Sequence, residues 1–252
     1  MNAGGPRHLT NSGSPSETKL GLLRKIFDSL MAYDNEMPRL LGFLVRLPAP
    51  VGTAPFIVDV GCGRGRILRE LTQRGYDAVG IEVNPALVAE NRAAGLRCLT
   101  PDEWERDGRQ CDVIIMAHII EHFAPADLLA FMDNYLARLK LGGHLVVATP
   151  LMSPNFYDDF DHVKPYQPAG LMMVFGGGRA QVQYYARTQL KLRDLWFRRS
   201  PLRPAFRSGL YLRTPARFFW MAVAVLGMLV FRLTFGVVGR RDGWVGVFRK
   251  II

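Results

Sequence analysis

The chain has 252 residues, of which 49% are hydrophobic and 21% charged, with a formal net charge of +10. That apolar content excludes a disordered chain, and the length suits one substantial core with additions rather than two full domains. The charge is lopsided: residues 1–150 carry 16 Lys+Arg against 17 Asp+Glu, whereas residues 151–252 carry 16 against 5, so the basic surface belongs to the C-terminal part.

Residues 1–16 are rich in Gly, Ser, Asn and Pro and lack the apolar stretch of a signal peptide, so a disordered leader is expected there. Residues 17–55 read as a helical cap. Leu20, Leu23, Phe27, Leu30 and Met31, then Leu40, Leu41 and Leu44, recur at helical spacing; Pro38 is expected to separate two short helices. Pro48 to Pro55 then lead into the run Phe56-Ile-Val-Asp-Val60, which reads as a strand buried on both faces.

That strand ends in Gly61, Gly63 and Gly65. Lacking Cβ atoms, these glycines permit positive φ and are expected to let a ligand lie against the loop's N–H groups, with a helix over 64–74 aimed at the same spot. A second strand over 78–82 ends in Glu82, 21 positions after Gly61, where an open α/β sheet places an acid that accepts from ribose hydroxyls. A dinucleotide fingerprint would need a glycine at position 66, which is Arg66, so the loop is of the G-x-G-x-G kind. Further strands over 96–99, 111–116 and 143–149 alternate with helices over 85–94, 101–106 and 125–140; Asn84-Pro85 supplies an N-cap and a first-turn proline. The alternation predicts an α/β fold: a doubly wound, Rossmann-like, mostly parallel seven-stranded sheet with helices on both faces and ligands at the carboxyl ends of its strands.

Beyond Pro150 lie Asp158-Asp-Phe-Asp-His-Val-Lys-Pro-Tyr166, a short apolar helix expected over 168–175, and a sixth strand expected over 180–188. The core thus spans 56–190, a basic and apolar insertion 191–242, and a final antiparallel strand 243–252, with Trp244, Val245, Val247 and Phe248 at its centre. Residues 187–252 hold 14 Lys+Arg against Asp194 and Asp242 alone, and Phe218 to Phe231 is fourteen uncharged residues between Arg217 and Arg232. Fourteen residues fall short of the roughly 20 that span a bilayer. Two readings stand: an interfacial element held on anionic lipid by arginines, or an apolar helix packed inside the protein or a dimer.

Asp59-Val-Gly-Cys-Gly-Arg-Gly65, Gly80-Ile-Glu-Val-Asn-Pro85, Cys111-Asp-Val-Ile-Ile-Met-Ala-His-Ile-Ile-Glu-His-Phe123 and Leu139-Lys-Leu-Gly-Gly-His-Leu-Val-Val-Ala-Thr-Pro150 resemble, in order, the motifs of class I S-adenosylmethionine-dependent methyltransferases. The H-x-x-E-H ending of the third stretch is similar to small-molecule members, including quinone and lipid O-methyltransferases. The resemblance implies S-adenosyl-L-methionine as cofactor. It assigns Gly61, Cys62 and Gly63 to its methionine part, with Asp59 holding the loop or accepting from its amino group, Glu82 to its ribose, Val83 and Asn84 to the flanks of its adenine with Thr100 or Asp102 at the base edge, and Ala117 and His118 to the methionine end.

For a hydroxyl acceptor the remaining need is a base, and His118, His122 and His162 are the candidates, with His162 preferred because it lies with Tyr166 in the segment where acceptor contacts are expected. His122 has a structural alternative at a helix start. Asp158, Asp159 and Asp161 beside His162 could hold a divalent ion, but such a run is more often a solvated loop, and no metal is assigned. The N/D-P-P-Y/F sequence of amino-methylating nucleic-acid enzymes is replaced by Met116-Ala-His-Ile119, which disfavours base methylation. Cys62, Cys98 and Cys111 show no metal-ligand spacing and no disulfide framework, which implies a reducing, cytoplasmic setting. The expected function is methyl transfer to a small, lipid-like or lipid-linked hydroxyl acceptor, on the cytoplasmic face of an anionic membrane. A catalytically inert cofactor-binding scaffold and an RNA methyltransferase are the alternatives.

Overall fold

The computed structural model describes residues 34–48, 54–177, 183–202 and 216–252, the last with side chains from 219 onward. The leader and the first half of the expected cap, residues 1–33, lie outside the described residues, as do the first three positions of the strand expected over 180–188.

Five strands run parallel: β1 (Phe56–Val60), β2 (Asp77–Ile81), β3 (Cys98–Leu99), β4 (Cys111–Ala117) and β5 (Leu139–Pro150). The chain then adds β6 (Leu190–Ser200) and β7 (Arg240–Lys250), and the seven-stranded order is β3-β2-β1-β4-β5-β7-β6, with β7 antiparallel to both β5 and β6. The expected fold class is therefore what the chain adopts. The strand expected at 180–188 is corrected: residues 183–189 form no strand, and β6 begins at Leu190, where alternation of the Leu190-Lys-Leu192 kind starts. Consequently residues 191–200 belong to the sheet.

Helices cover both faces because successive strand residues point to opposite sides. One face buries Val58, Val60, Ile114, Met116, Leu145, Val147 and Trp244. Against it pack Trp104 of one helix (Pro101–Asp107), Leu128, Met132 and Leu136 of a second (Pro125–Ala137), and Leu171 and Phe175 of a third (Pro168–Phe175). The other face buries Ile57, Val113, Ile115, Val146, Val245 and Val247 under Leu40, Leu41, Phe43 and Leu44 of α1 (Glu36–Arg46) and Leu68 and Leu71 of α2 (Arg66–Gln73). In chain order the remaining helices are α3 (Pro85–Ala93), α4 (101–107), α5 (125–137), α6 (168–175) and α7 (Ala216–Leu233).

One expectation about helices changes. Pro38 does not separate helices; it lies in the first turn of α1, where its missing N–H would have had no partner. The apolar segment forms α7 over 18 residues, and no described helix is long and apolar enough to cross a membrane. Met228 and Phe231 of α7 are buried, Phe231 beneath Gly236 and Gly239, while Phe219, Leu226, Leu229 and Leu233 stay exposed.

Candidate active site

The carboxyl ends of β1, β2 and β4 bring together most of the expected site. At Gly61, φ is +71 and an added Cβ would lie 2.2 Å from Ile119 Cδ1, so this glycine lets the loop pack on the segment after β4. At Gly63, φ is +53 and, among the described residues, nothing lies within 4 Å of where a Cβ would be. Gly63 alone of the two thus leaves its surface open. The expectation that loop N–H groups face a ligand is corrected, since the Gly61 and Cys62 amides donate to the Ile81 carbonyl at 2.8 and 3.1 Å, and that of Gly65 to the Cys62 carbonyl at 2.9 Å. Gly63 donates to Glu82 Oε2 at 2.9 Å. A phosphate nest needs free donors, and this loop pairs these four internally.

Glu82, 8% exposed, also accepts from the Asn84 amide at 2.8 Å through Oε1, so the carboxylate is fixed at both ends while each oxygen keeps a second lone pair. Asn84 caps α3, accepting from the Ala86 amide at 3.0 Å, and Val83 between them is exposed. Thr100 and Glu103 form a capping box on α4, with Asp102 exposed in its first turn. Cys62 turns its sulfur beneath the loop, 3.6 Å from that of Cys98, so only its backbone borders the open side. Asp59 is buried, and its Oδ2 has no hydrogen-bond partner among the described residues. Burial, then the neighbouring Cys98 and Glu82, pushes its pKa up to about 7.

On the β4 side, Ala117 ends the strand and His118 follows with φ +55. His118 Nε2 lies 2.7 Å from Glu36 Oε1 and its Nδ1 lies 3.3 Å from Glu121 Oε1. Burial opposes the imidazolium, but hydrogen bonding and charge from Glu121 and Glu36 outweigh it and raise the pKa to about 9. His118 is a cation at neutral pH, the opposite of the state a base requires. Glu36 in turn meets Arg198 at 2.7 Å, and Arg198 meets Asp242 at 2.9 Å. Burial resists ionisation of Glu36, yet His118 and then Arg198 hold its pKa below the usual value. One charge chain therefore ties α1 to the β4 end and to β6 and β7.

His122 and His162 come together although 40 positions separate them. The Val163 and Lys164 amides donate to the Glu121 carbonyl at 2.9 and 3.1 Å, pinning the 156–166 segment against the short helix Ile120–His122. The two imidazoles meet edge to face with centroids 5.1 Å apart. His122 Nδ1 lies 3.1 Å from the Asp161 carbonyl and His162 Nδ1 2.6 Å from the Phe156 carbonyl, so each Nδ1–H donates and each Nε2 is left as the basic nitrogen. Tyr166 is instead structural: its hydroxyl donates to the Phe123 carbonyl at 2.9 Å, and the Trp244 indole N–H donates to the Tyr166 carbonyl at 2.8 Å.

Glu121, Glu36, Thr149, Arg198 and Asp242 join the site without having been among the expected residues. Glu121 is fully buried and its Oε2 accepts from the Thr149 hydroxyl at 2.9 Å; the H-x-x-E-H stretch was its signal. Glu36 had none beyond being an acid at the head of an apolar helix, because its partners come from residues 118 and 198.

The chain matches the family described as "Methyltransferase domain" over residues 33–196. It is 29% identical over 101 residues to a ubiquinone biosynthesis O-methyltransferase of Bradyrhizobium sp. (strain ORS 278), covering 37% of this chain and 39% of that protein. A protein of the same description from Rickettsia bellii (strain OSU 85-389) is 33% identical over 101 residues, covering 37% and 41%. The matched region is thus about two fifths of these relatives' length. Among solved structures, a SAM-dependent methyltransferase from Archaeoglobus fulgidus shares the fold with TM-score 0.54 at 17% identity, over 90% of this chain and 99% of that one. A structure described as a putative methyltransferase from Bacillus halodurans C-125 does so with TM-score 0.56 at 12% identity, over 86% and 99%. The matched residues run from α1 through the glycine loop, Glu82 and the H-x-x-E-H segment into β6, and the chain belongs to the methyltransferase domain family.

Proposed function

We propose that the chain transfers a methyl group to a hydroxyl of a lipid-like or lipid-linked small molecule at an anionic membrane surface. The observation that carries the reading is the meeting of His122 and His162, each with Nε2 as its basic nitrogen, where the segment of His122 packs through Ile119 against the glycine loop.

The residues at the β1 and β2 ends fit the cofactor. Gly63 offers an open surface, Glu82 has lone pairs for two ribose hydroxyls, Val83 is an exposed apolar contact for a ring, and the unpartnered Asp59 Oδ2 suits an ammonium group. When bound, the cofactor supplies a methyl group on a sulfonium, an already activated electrophile. The protein's remaining work is to position the acceptor and take its proton. The Nε2 edge of His122 and His162 accepts that proton. The His118 cation, held by Glu36 and Glu121, fixes the β4 end and α1 around the site.

Support for a lipid-like acceptor comes from α7. Phe219, Ala222, Leu226, Leu229 and Leu233 form one exposed stripe at three- and four-residue spacing, continued by the exposed Phe235, Val237 and Val238. Beside it a cleft of 520 Å³ is lined by Arg39, Arg46, Arg199, Trp196, Phe197 and Phe235, among others. Apolar side chains next to arginines suit the boundary between acyl chains and anionic headgroups. The relatives' O-methyltransferase description points the same way. Attachment from the cytoplasmic side accords with three free, buried cysteines.

The test is incubation with isotopically labelled methyl donor and separate lipid, polar and RNA extracts. Label on a hydroxyl of a lipid-soluble product is the expected result. Label on RNA would replace the reading with nucleic-acid methylation, and donor binding without labelled product would replace it with a scaffold. In parallel, the protein is expected to sediment with anionic but not zwitterionic vesicles; failure to do so removes the membrane part.

A further inference from the structure

Among the described residues, Glu121, His122 and His162 each place a ligand-type atom within 4.8 Å of the other two. Two features distinguish this group from a chance cluster. Glu121 is 0% exposed, and its Oε1, 3.3 Å from His118 Nδ1, keeps a lone pair for a cation. Both imidazoles donate Nδ1–H to backbone carbonyls, of Asp161 and Phe156, which is how metal-ligating histidines are oriented with Nε2 as the ligand. A third feature concerns charge: His162 Nε2 lies 3.7 Å from Asp159 Oδ2, so a basic nitrogen and a carboxylate oxygen face each other unless a proton or cation sits between.

We propose that Glu121, His122 and His162 form a binding site for a divalent metal ion of the zinc type, with three protein ligands and an open coordination position. Two imidazoles and one carboxylate suit zinc, or cobalt as its surrogate, better than magnesium, which prefers oxygen ligands. Metal–ligand bonds of about 2.0–2.1 Å bring tetrahedral ligands to about 3.4 Å from one another. The group must therefore tighten by up to roughly 1.5 Å. The 159–164 segment is mostly exposed and attached to Glu121 through the Val163 and Lys164 amides, so it can move while keeping its anchor. Thr149 holds the other Glu121 oxygen and fixes the carboxylate. The neighbouring acidic run is engaged otherwise: Asp158 accepts from Asn155 and Asp159 Oδ1 from the Asp161 amide. Asp159 Oδ2 adds negative charge beside the site.

This deepens the methyl-transfer reading, and only the ion's role rests on it. An acceptor hydroxyl at the open position loses its proton more readily because the metal stabilises the oxyanion, and the proton leaves to solvent while the imidazoles serve as ligands. Without the ion, an imidazole takes the proton directly.

The experiment uses the full chain, free of methyl donor and acceptor, with ZnCl2 and CoCl2 as probes. Long-range 1H–15N spectra of the imidazoles are expected to show the Nε2 signals of His122 and His162 moving together at one equivalent of zinc, while those of His144 stay in place. Cobalt is expected to give one-to-one visible absorption, and His122→Ala and His162→Ala each to weaken it 10- to 100-fold. No saturable binding, or binding that leaves both Nε2 signals and both variants' affinities unchanged, overturns the site. The wild-type spectra decide the matter even if a variant folds poorly. Zinc bound at these nitrogens with no methyl product would leave the site standing and sink the transfer reading. Methyl product with no zinc binding would do the reverse.

Discussion

The two halves of the site are built differently. The cofactor half is local: Asp59, Gly61, Gly63, Glu82, Asn84 and Asn91 come from two strand ends and the helices that follow, and their hydrogen bonds join neighbours in that stretch. The other half, where the acceptor is proposed to lie, is assembled from six separate segments. Glu36, the 118–122 stretch, Thr149, the 156–166 segment and Arg198 with Asp242 meet through charge pairs and buried hydrogen bonds. A local half can be altered one residue at a time; a distributed half transmits damage between elements.

The largest effect is expected from Glu121→Ala. It removes the acceptor of the buried Thr149 hydroxyl and one of the carboxylates facing His118, and loss of such a partner costs about 3 kcal/mol. Urea unfolding measures it; a change below about 1 kcal/mol would show that the acceptor half is less interdependent than described.

The glycine loop sharpens the contrast from the other side. Gly61→Ala places a Cβ into Ile119 and is expected to cost about 2 kcal/mol, whereas Gly63→Ala meets nothing and is expected to cost about 1 kcal/mol from its positive φ. Donor affinity should fall with Gly63→Ala, while its loss of thermal stability stays smaller than that of Gly61→Ala. Equal destabilisation at the two positions would contradict the division between packing and open glycine.

Asp59 gives the next effect. Its folded pKa is raised to about 7, so the ionised form destabilises the fold increasingly as pH rises from its unfolded value near 3.8 to about 7. A cationic ammonium group beside it favours the ionised form. Donor affinity is thus expected to rise about tenfold between pH 6 and 8, and calorimetry with Asp59→Asn should show that dependence abolished.

The smallest effect is spectroscopic. His118 is raised to about 9, so its ion pairs are complete below its unfolded value near 6.5 and are lost as pH rises through about 9. Its imidazole signal should titrate there by NMR and shift to lower pH in Glu36→Gln. Titration near 6.5 in the wild-type protein would remove the charge chain from α1.

What was legible in the sequence follows the same division. Strand and helix order, the acid Glu82 just after β2 and the 168–175 helix came from short-range pattern, because buried strands are apolar runs and Asn84, Thr100 and Pro168 mark helix starts locally. The sixth strand was misplaced by about ten residues because Leu190–Ser200 is only half buried at the sheet edge and carries Lys191, Arg193, Asp194, Arg198 and Arg199. The loop amides were misjudged because a glycine pattern reports backbone freedom and not which acceptors, here Ile81 and Glu82, take the N–H groups. Candidate histidines were visible, but not that His118 lies between two acids while His122 and His162 meet; those facts depend on contacts across 82 and 40 positions.

The most direct measurement is a calorimetric titration of S-adenosylmethionine into the wild-type chain and into Glu82→Ala, with melting curves of both. One-to-one binding by the wild type, weakened at least 100-fold in a variant that still unfolds cooperatively, is the predicted result. No binding by the wild type, or equal binding by both, would contradict a cofactor seated at Gly63 and Glu82.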